Sequence, residues 1–212
     1  MSYKELSRIH TGYAAGVRLI KNVRIPMRDD VRLCADLYVP DTERADPLPV
    51  VMEYSPYRKD EVALGLRFYS HLPQNGYIVA RVDVRGTGAS PGVATDEYVA
   101  GEQQDGFDAI EWLAAQPFCD GHVNMMGSSY GGFTSLQVAT LQPPHLRSII
   151  PMYFTDDRYT DECHYRGGHL RHYYDVGYYG TFMIVYNAMP PYPEWSADWA
   201  EVWAEHLEHD EP

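Results

Sequence analysis

The chain has 212 residues, 45% of them apolar, with 4 Trp, 18 Tyr and 6 Phe, enough for one ordinary buried core and unlike a disordered or collagenous composition. A formal net charge of -13 without any Lys/Arg run argues against nucleic acid and anionic lipid as partners. Cys34, Cys119 and Cys163 lie far apart without C-x-x-C spacing, residues 1–16 lack a secretory pattern, and no apolar run nears the about 18 residues of a membrane span, so a cytoplasmic protein with reduced thiols is expected.

In chain order, residues 17–27 and 31–39 mix β-branched and polar side chains around Asp29-Asp30 and read as an antiparallel pair. Residues 48–54 (LPVVMEY) form a short apolar strand of the kind covered on both faces. Residues 61–74 place Leu64, Phe68, His71 and Leu72 on one helical face and stop at Asn75-Gly76. A second buried strand follows at 77–84. A helix over 103–115 carries Phe107, Ile110, Trp112 and Leu113 and is ended by Pro117; then come a strand at 122–126, a helix at 132–141 and a strand at 146–152. Apolar strands alternating with helices imply an α/β fold with a mainly parallel sheet.

After Pro151 the strand-helix rhythm is lost, and residues 153–192 are rich in Tyr, His, Gly and Asp. A final helix is expected over 196–209, capped by Ser196, with Trp199, Val202, Trp203, His206 and Leu207 on one face. Such a face needs a covering surface, and no later sequence supplies one.

Gly127-Ser128-Ser129-Tyr130-Gly131 is a G-x-S-x-G pentapeptide between the apolar run 123–126 and a helix, the strand-turn-helix setting of a nucleophile elbow. The turn holds its central residue in strained dihedrals, so glycines at 127 and 131 answer a steric demand. A serine hydroxyl attacks acyl carbon only when a base takes its proton and pre-aimed donors stabilise the oxyanion. The backbone N–H of Tyr130 is the donor an elbow supplies. Where a second donor belongs, after the third strand, the sequence reads Tyr54-Ser55-Pro56-Tyr57-Arg58-Lys59, with no His-Gly-Gly-Gly loop but with a tyrosine hydroxyl held by Pro56.

Three other constellations lead elsewhere. Gly86, Gly88 and Gly92 are misspaced for a dinucleotide loop and interrupted by Pro91. Asp83 and Arg85 at a strand end beside this loop read as its pins. Cys163-His164 with His169 and His172 would need a fixed geometry that Gly167-Gly168 undermine, so neither a metal nor another cofactor is expected.

Pro56-Tyr57, residues 83–92 (DVRGTGASPG), the helix from Glu102 to Trp112, Cys119-Asp120-Gly121, the GSSYGG of 127–132 and the TDDRY of 155–159, in this order and spacing, resemble the family holding cocaine esterase, X-Pro dipeptidyl-peptidases and α-amino acid ester hydrolases. The likeness spans roughly 17 to 207. It implies Ser129 as nucleophile, with the Tyr130 backbone N–H and the Tyr57 hydroxyl as oxyanion donors, acting on a small ester, an amide or a peptide. It also implies that residues 1–152 are the N-terminal part of an α/β-hydrolase domain and 153–212 the beginning of a helical cap. The late strands that carry Asp and His in that family, and its C-terminal jelly roll, have no counterpart here. None of His10, His71, His122, His145, His164, His169, His172, His206 or His209 follows a late strand, and none is assigned as base. The expectation is therefore a serine hydrolase represented by an incomplete chain, with a complementary C-terminal chain as a possible partner. The alternative is an inactive truncated or split-gene fragment that at most binds a partner chain.

Overall fold

The computed structural model describes residues 9–42, 46–60 and 66–209. Its first three strands, β1 (Ile9–Ala14), β2 (Val17–Pro26) and β3 (Arg32–Pro40), form an antiparallel ribbon. β1 was not expected from sequence, because IHTGYA carries no alternation; its pairing with β2 supplies what local propensity does not. The chain then alternates: β4 (Leu48–Ser55), α1 (Leu66–Gln74), β5 (Ile78–Asp83), α2 (Ala100–Ala114), β6 (Cys119–Ser128), α3 (Tyr130–Thr140) and β7 (Leu146–Met152). The sheet order is β1-β2-β3-β5-β4-β6-β7, with β5, β4, β6 and β7 mutually parallel. Residues 61–65, where the first expected helix begins, lie outside the described residues.

The central strands β4 and β5 are largely apolar because both of their faces are covered. Ile78 and Ala80 belong to the large cluster that includes Ile110 and Leu113 of α2 and Val138 of α3, all fully buried. Val79, between them, joins Tyr38 and Tyr69 on the α1 side. Alternate residues of one strand thus serve opposite faces, each fully buried aliphatic side chain contributing about 1.5–3 kcal/mol. This packing fixes the carboxyl ends of β4, β5 and β6, where Tyr57, the 84–92 loop and Ser129 sit.

The Tyr-rich stretch contains a small hairpin, β8 (Tyr165–Arg166) with β9 (His169–Leu170), turned by Gly167 and Gly168, both at positive φ. α4 (His172–Tyr174), a π-helical turn (Asp175–Tyr179) and α5 (Gly180–Ala188) then run on as one helical segment. α6 (Trp199–Glu208) corrects two expectations. Asp198, not Ser196, is its N-cap, and Ser196 Oγ instead donates to Asp198 Oδ1 at 2.7 Å. Its inner face is covered by the chain itself: Val202 and His206 are buried, His206 Nε2 meets the Ser90 carbonyl at 2.9 Å, Gly92 N donates to Glu205 at 3.1 Å, and Trp203 Nε1 donates to the Ala188 carbonyl at 2.9 Å. Arg24 also clamps Asp198 with one nitrogen 2.9 and 2.8 Å from its two oxygens. Long-range contacts invisible to local patterning close this face.

Candidate active site

Ser129 stands between β6 and α3 at φ 56° and ψ -117°, a conformation that costs a non-glycine residue about 1–3 kcal/mol. Three bonds hold it there: its N–H donates to the Met152 carbonyl at 2.9 Å, and its own carbonyl accepts from Gly132 and Phe133 at 2.8 and 3.1 Å. The glycines divide differently from the sequence expectation. A Cβ on Gly127 would lie 2.4 Å from Gly131 backbone atoms, and one on Gly132 would lie 2.6 Å from the Met152 carbonyl oxygen. One on Gly131 meets nothing nearer than 3.8 Å. The steric demand thus falls on Gly127 and Gly132.

Tyr57 and Tyr130 both reach this serine. The Tyr57 hydroxyl shares a hydrogen bond of 3.4 Å with Ser129 Oγ, and the Tyr130 backbone N–H is hydrogen-bonded to the Tyr57 oxygen. Burial pushes the Tyr57 hydroxyl above its ordinary pKa against the pull of these bonds, which keeps it a neutral donor. Its ring is held edge-on by Tyr130 and by Phe182 of α5, each at a centroid distance of 6.1 Å. Arg58, next in sequence and at φ 60°, donates to the carbonyls of Tyr186, Met189 and Pro190 at 3.2, 2.5 and 2.7 Å and so ties this loop to the end of α5.

The loop beside them is pinned as expected. Asp83 accepts from Lys59 N at 2.5 Å and Ala89 N at 2.9 Å, burial raising its pKa to about 6. Arg85 grips Asp105 through two bonds of 2.8 and 2.7 Å. Next to this loop lies a cavity of about 870 Å³ walled by Pro56, Glu97, Glu102, Tyr130, Tyr179 and Met183 among others. Neither Ser129 nor Tyr57 is in its wall, so it adjoins the elbow instead of containing it.

Residues 29–209 match the X-Pro dipeptidyl-peptidase (S15 family) pattern. The chain belongs to this family. It is 36% identical over 154 residues to the cocaine esterase of Rhodococcus sp. (strain MB1 Bresler), a match covering 70% of this chain and 26% of that protein. A CocE/NonD family hydrolase from Staphylococcus aureus superposes with a TM-score of 0.62 at 28% identity, covering 69% of this chain and 29% of that one. An α-amino acid ester hydrolase gives a TM-score of 0.61 at 26% identity, covering 83% and 32%. The chain therefore spans about a quarter to a third of the length of these family members, and its mostly parallel sheet corresponds to the N-terminal part of their α/β-hydrolase fold.

Within that family frame, the structure adds residues that sequence reading did not single out. Glu102 accepts from the Tyr130 hydroxyl at 2.8 Å, and Tyr98 stacks on the Tyr130 ring at 4.1 Å. Tyr179 hydrogen-bonds both Tyr57 and Glu97. An acid in the first turn of a helix was the available signal for Glu102, but it reads equally as a helix-dipole residue. Of the histidines, His145 pairs with Glu111 at 2.7 Å, His164 with Asp175 at 2.5 Å and His206 with Ser90. Among the described residues none hydrogen-bonds Ser129 Oγ, whose side-chain partner is Tyr57.

Proposed function

We propose that the chain carries the nucleophile and oxyanion half of a serine hydrolase that acts on an ester, amide or X-Pro peptide bond through an acyl-enzyme on Ser129. The observation that supports this best is the strained Ser129 with the Tyr57 hydroxyl 3.4 Å from its Oγ and the Tyr130 N–H directed to the same place. In the proposed reaction a base takes the Ser129 proton and Oγ attacks the acyl carbon. The Tyr57 hydroxyl and Tyr130 N–H receive the oxyanion, and water clears the acyl group. No cofactor enters this scheme.

Among the described residues no histidine hydrogen-bonds Ser129 Oγ, and the matches cover only about a quarter to a third of the relatives' length. We therefore assign the base to a complementary segment adding beside β7, an outer strand of the sheet among the described residues, with residues 1–152 as the hydrolase part and 153–212 as the start of a cap. Three free thiols, and no helix among the described residues long and apolar enough to cross a membrane, support a cytoplasmic setting. The test is co-expression with the C-terminal part of a full-length relative, assayed on p-nitrophenyl esters and X-Pro amides. Activity with the wild-type pair that vanishes in Ser129→Ala supports the reading. A stable complex in which Ser129→Ala is as active as wild type overturns it. Failure to form any complex favours the non-catalytic fragment, whose supporting observation is that no described histidine hydrogen-bonds Ser129 Oγ.

A further inference from the structure

A second cluster of reactive groups lies in the 159–179 segment, outside the acyl-transfer scheme. Cys163 Sγ donates to Glu162 Oε1 at 3.0 Å, and the same oxygen stands 4.0 Å from His164 Nε2. Glu97 Oε2, from the loop before α2, is 3.6 Å from that nitrogen. One donor atom from each of Glu162, Cys163 and His164 falls within 4.8 Å of the others, and Glu97, His169 and His172 stand outside that group. The Glu162 side chain is 1% exposed and that of His164 15%. A tetrahedral ion at about 2.3 Å from sulfur and about 2.0–2.2 Å from nitrogen and oxygen spaces its donors roughly 3.3–3.6 Å apart, so small shifts bring these atoms to coordinating distance.

Two further observations favour an ion over a mere hydrogen-bonded pin. The far side of the His164 ring faces Asp175, with Nδ1 2.5 Å from Oδ1. That contact orients the ring so that Nε2 faces the thiol and the carboxylates, as in carboxylate-oriented metal histidines. The charge balance is also incomplete. Glu97, Glu162 and Asp175 bring three carboxylates, while the cation recorded beside them is Arg158, whose Nη2 reaches Glu162 Oε1 at 3.3 Å. Carboxylates thus outnumber the basic groups Arg158 and His164 in this half-buried cluster, an excess that a divalent ion offsets.

We propose that Glu97, Glu162, Cys163 and His164 form a binding site for a divalent transition-metal ion, with Zn²⁺ the best match to this mixed sulfur, nitrogen and oxygen donor set. Binding replaces the Cys163 thiol proton, which passes to solvent, by a sulfur–metal bond. The ion joins the 159–179 segment to the loop before α2. Glu97 also receives the Tyr179 hydroxyl, and Tyr179 bonds Tyr57, so the site braces the Tyr57 hydroxyl from behind.

The test is titration of the metal-stripped full chain with Co²⁺ and then Zn²⁺, followed by absorption. One equivalent of Co²⁺ is expected to give the intense visible bands of a tetrahedral site with a thiolate charge-transfer band, both bleached by Zn²⁺. Cys163→Ser should lose the thiolate band, and Asp175→Asn should keep it while weakening affinity roughly 10- to 100-fold, the usual cost of removing the group that orients a ligand. Ser129→Ala should bind as wild type, which separates this site from the acyl chemistry. Folded wild-type protein, checked by circular dichroism, that shows no tetrahedral spectrum at one equivalent overturns the proposal. So does a spectrum that survives the double variant Cys163→Ser/His164→Gln.

Discussion

The Tyr130 hydroxyl donates to Glu102 Oε2 at 2.8 Å across 28 residues of sequence, and among the described residues Glu102 Oε1 is buried without a hydrogen-bond partner. The residue that follows Ser129 is therefore anchored from α2, through a carboxylate whose own position is costly. Burial raises Glu102 to about 7. A carboxylate raised in the folded state binds more protons folded than unfolded between its ordinary value and about 7, so its ionisation withdraws stability as pH rises through that window.

Glu102→Gln keeps an acceptor for Tyr130 and removes the charge. Relative to wild type, the variant is expected to gain up to about 3 kcal/mol between pH 4.5 and 8, most of it between pH 5 and 7. Asp83 titrates in the same window, but it is common to both proteins and cancels in the difference. Urea unfolding at pH 5 and pH 8 checks this. Parallel pH profiles for the two proteins would mean that Glu102 ionises without hindrance.

Gly132→Ala and Gly131→Ala should behave oppositely. A Cβ at 132 pushes on the Met152 carbonyl, which is the acceptor for the Ser129 N–H, so a loss of about 1–3 kcal/mol and a loosened elbow are expected. At 131 there is room, and alanine should cost nothing or add up to about 1 kcal/mol through the unfolded state. Thermal unfolding of the pair decides it; equal destabilisation would show that the elbow is not shaped by these contacts.

The parallel half of the fold was legible because 48–54, 77–84 and 146–152 are apolar runs punctuated by Pro, Gly and helices of clear period. The sharp strand-turn-helix at 127–131 was legible because its motif is local in sequence. β1 was not, since its strand character comes from pairing with β2 and not from its own residues. Nor was the closure of α6 onto Ser90, Gly92 and Arg24, or the grip of Glu102 on Tyr130, because these bonds join residues 28 to 174 positions apart. Gly132, in α3, was overlooked for the same reason: its demand comes from Met152, at the end of β7.

Association is the expected solution behaviour of the chain alone. β7 is an outer strand of the sheet among the described residues, with Ile150 55% exposed, and Tyr153, the residue that follows it, is 88% exposed. An unpaired strand edge beside exposed apolar side chains favours self-association. Light scattering should show oligomers or soluble aggregate. A sharp monomer that melts cooperatively above about 55 °C, ordinary for a complete mesophilic domain, would contradict this.

The chain alone should also be inert toward esters, since among the described residues Ser129 Oγ is bonded to a tyrosine hydroxyl and to no histidine. In a well-studied serine protease, removal of the triad leaves only roughly 10³- to 10⁴-fold over water from the oxyanion hole and binding. Fluorophosphonate labelling of Ser129 should be slow and sub-stoichiometric. Rapid, complete labelling would mean that a histidine of this chain reaches Ser129 in solution.

Tyr57→Phe distinguishes an oxyanion donor from a tyrosine that merely fills space. The ring packs edge-on against Tyr130 and Phe182, contacts that phenylalanine preserves, so stability should change by less than about 1.5 kcal/mol. The hydroxyl, 3.4 Å from Ser129 Oγ and bonded to Tyr179, is all that is lost. If that hydroxyl stabilises developing charge, kcat in the complemented enzyme should fall roughly 10²- to 10³-fold with KM nearly unchanged, the usual cost of one oxyanion donor. A rise in KM at constant kcat would instead place Tyr57 in substrate binding. An unaffected rate would leave the Tyr130 N–H to act without it.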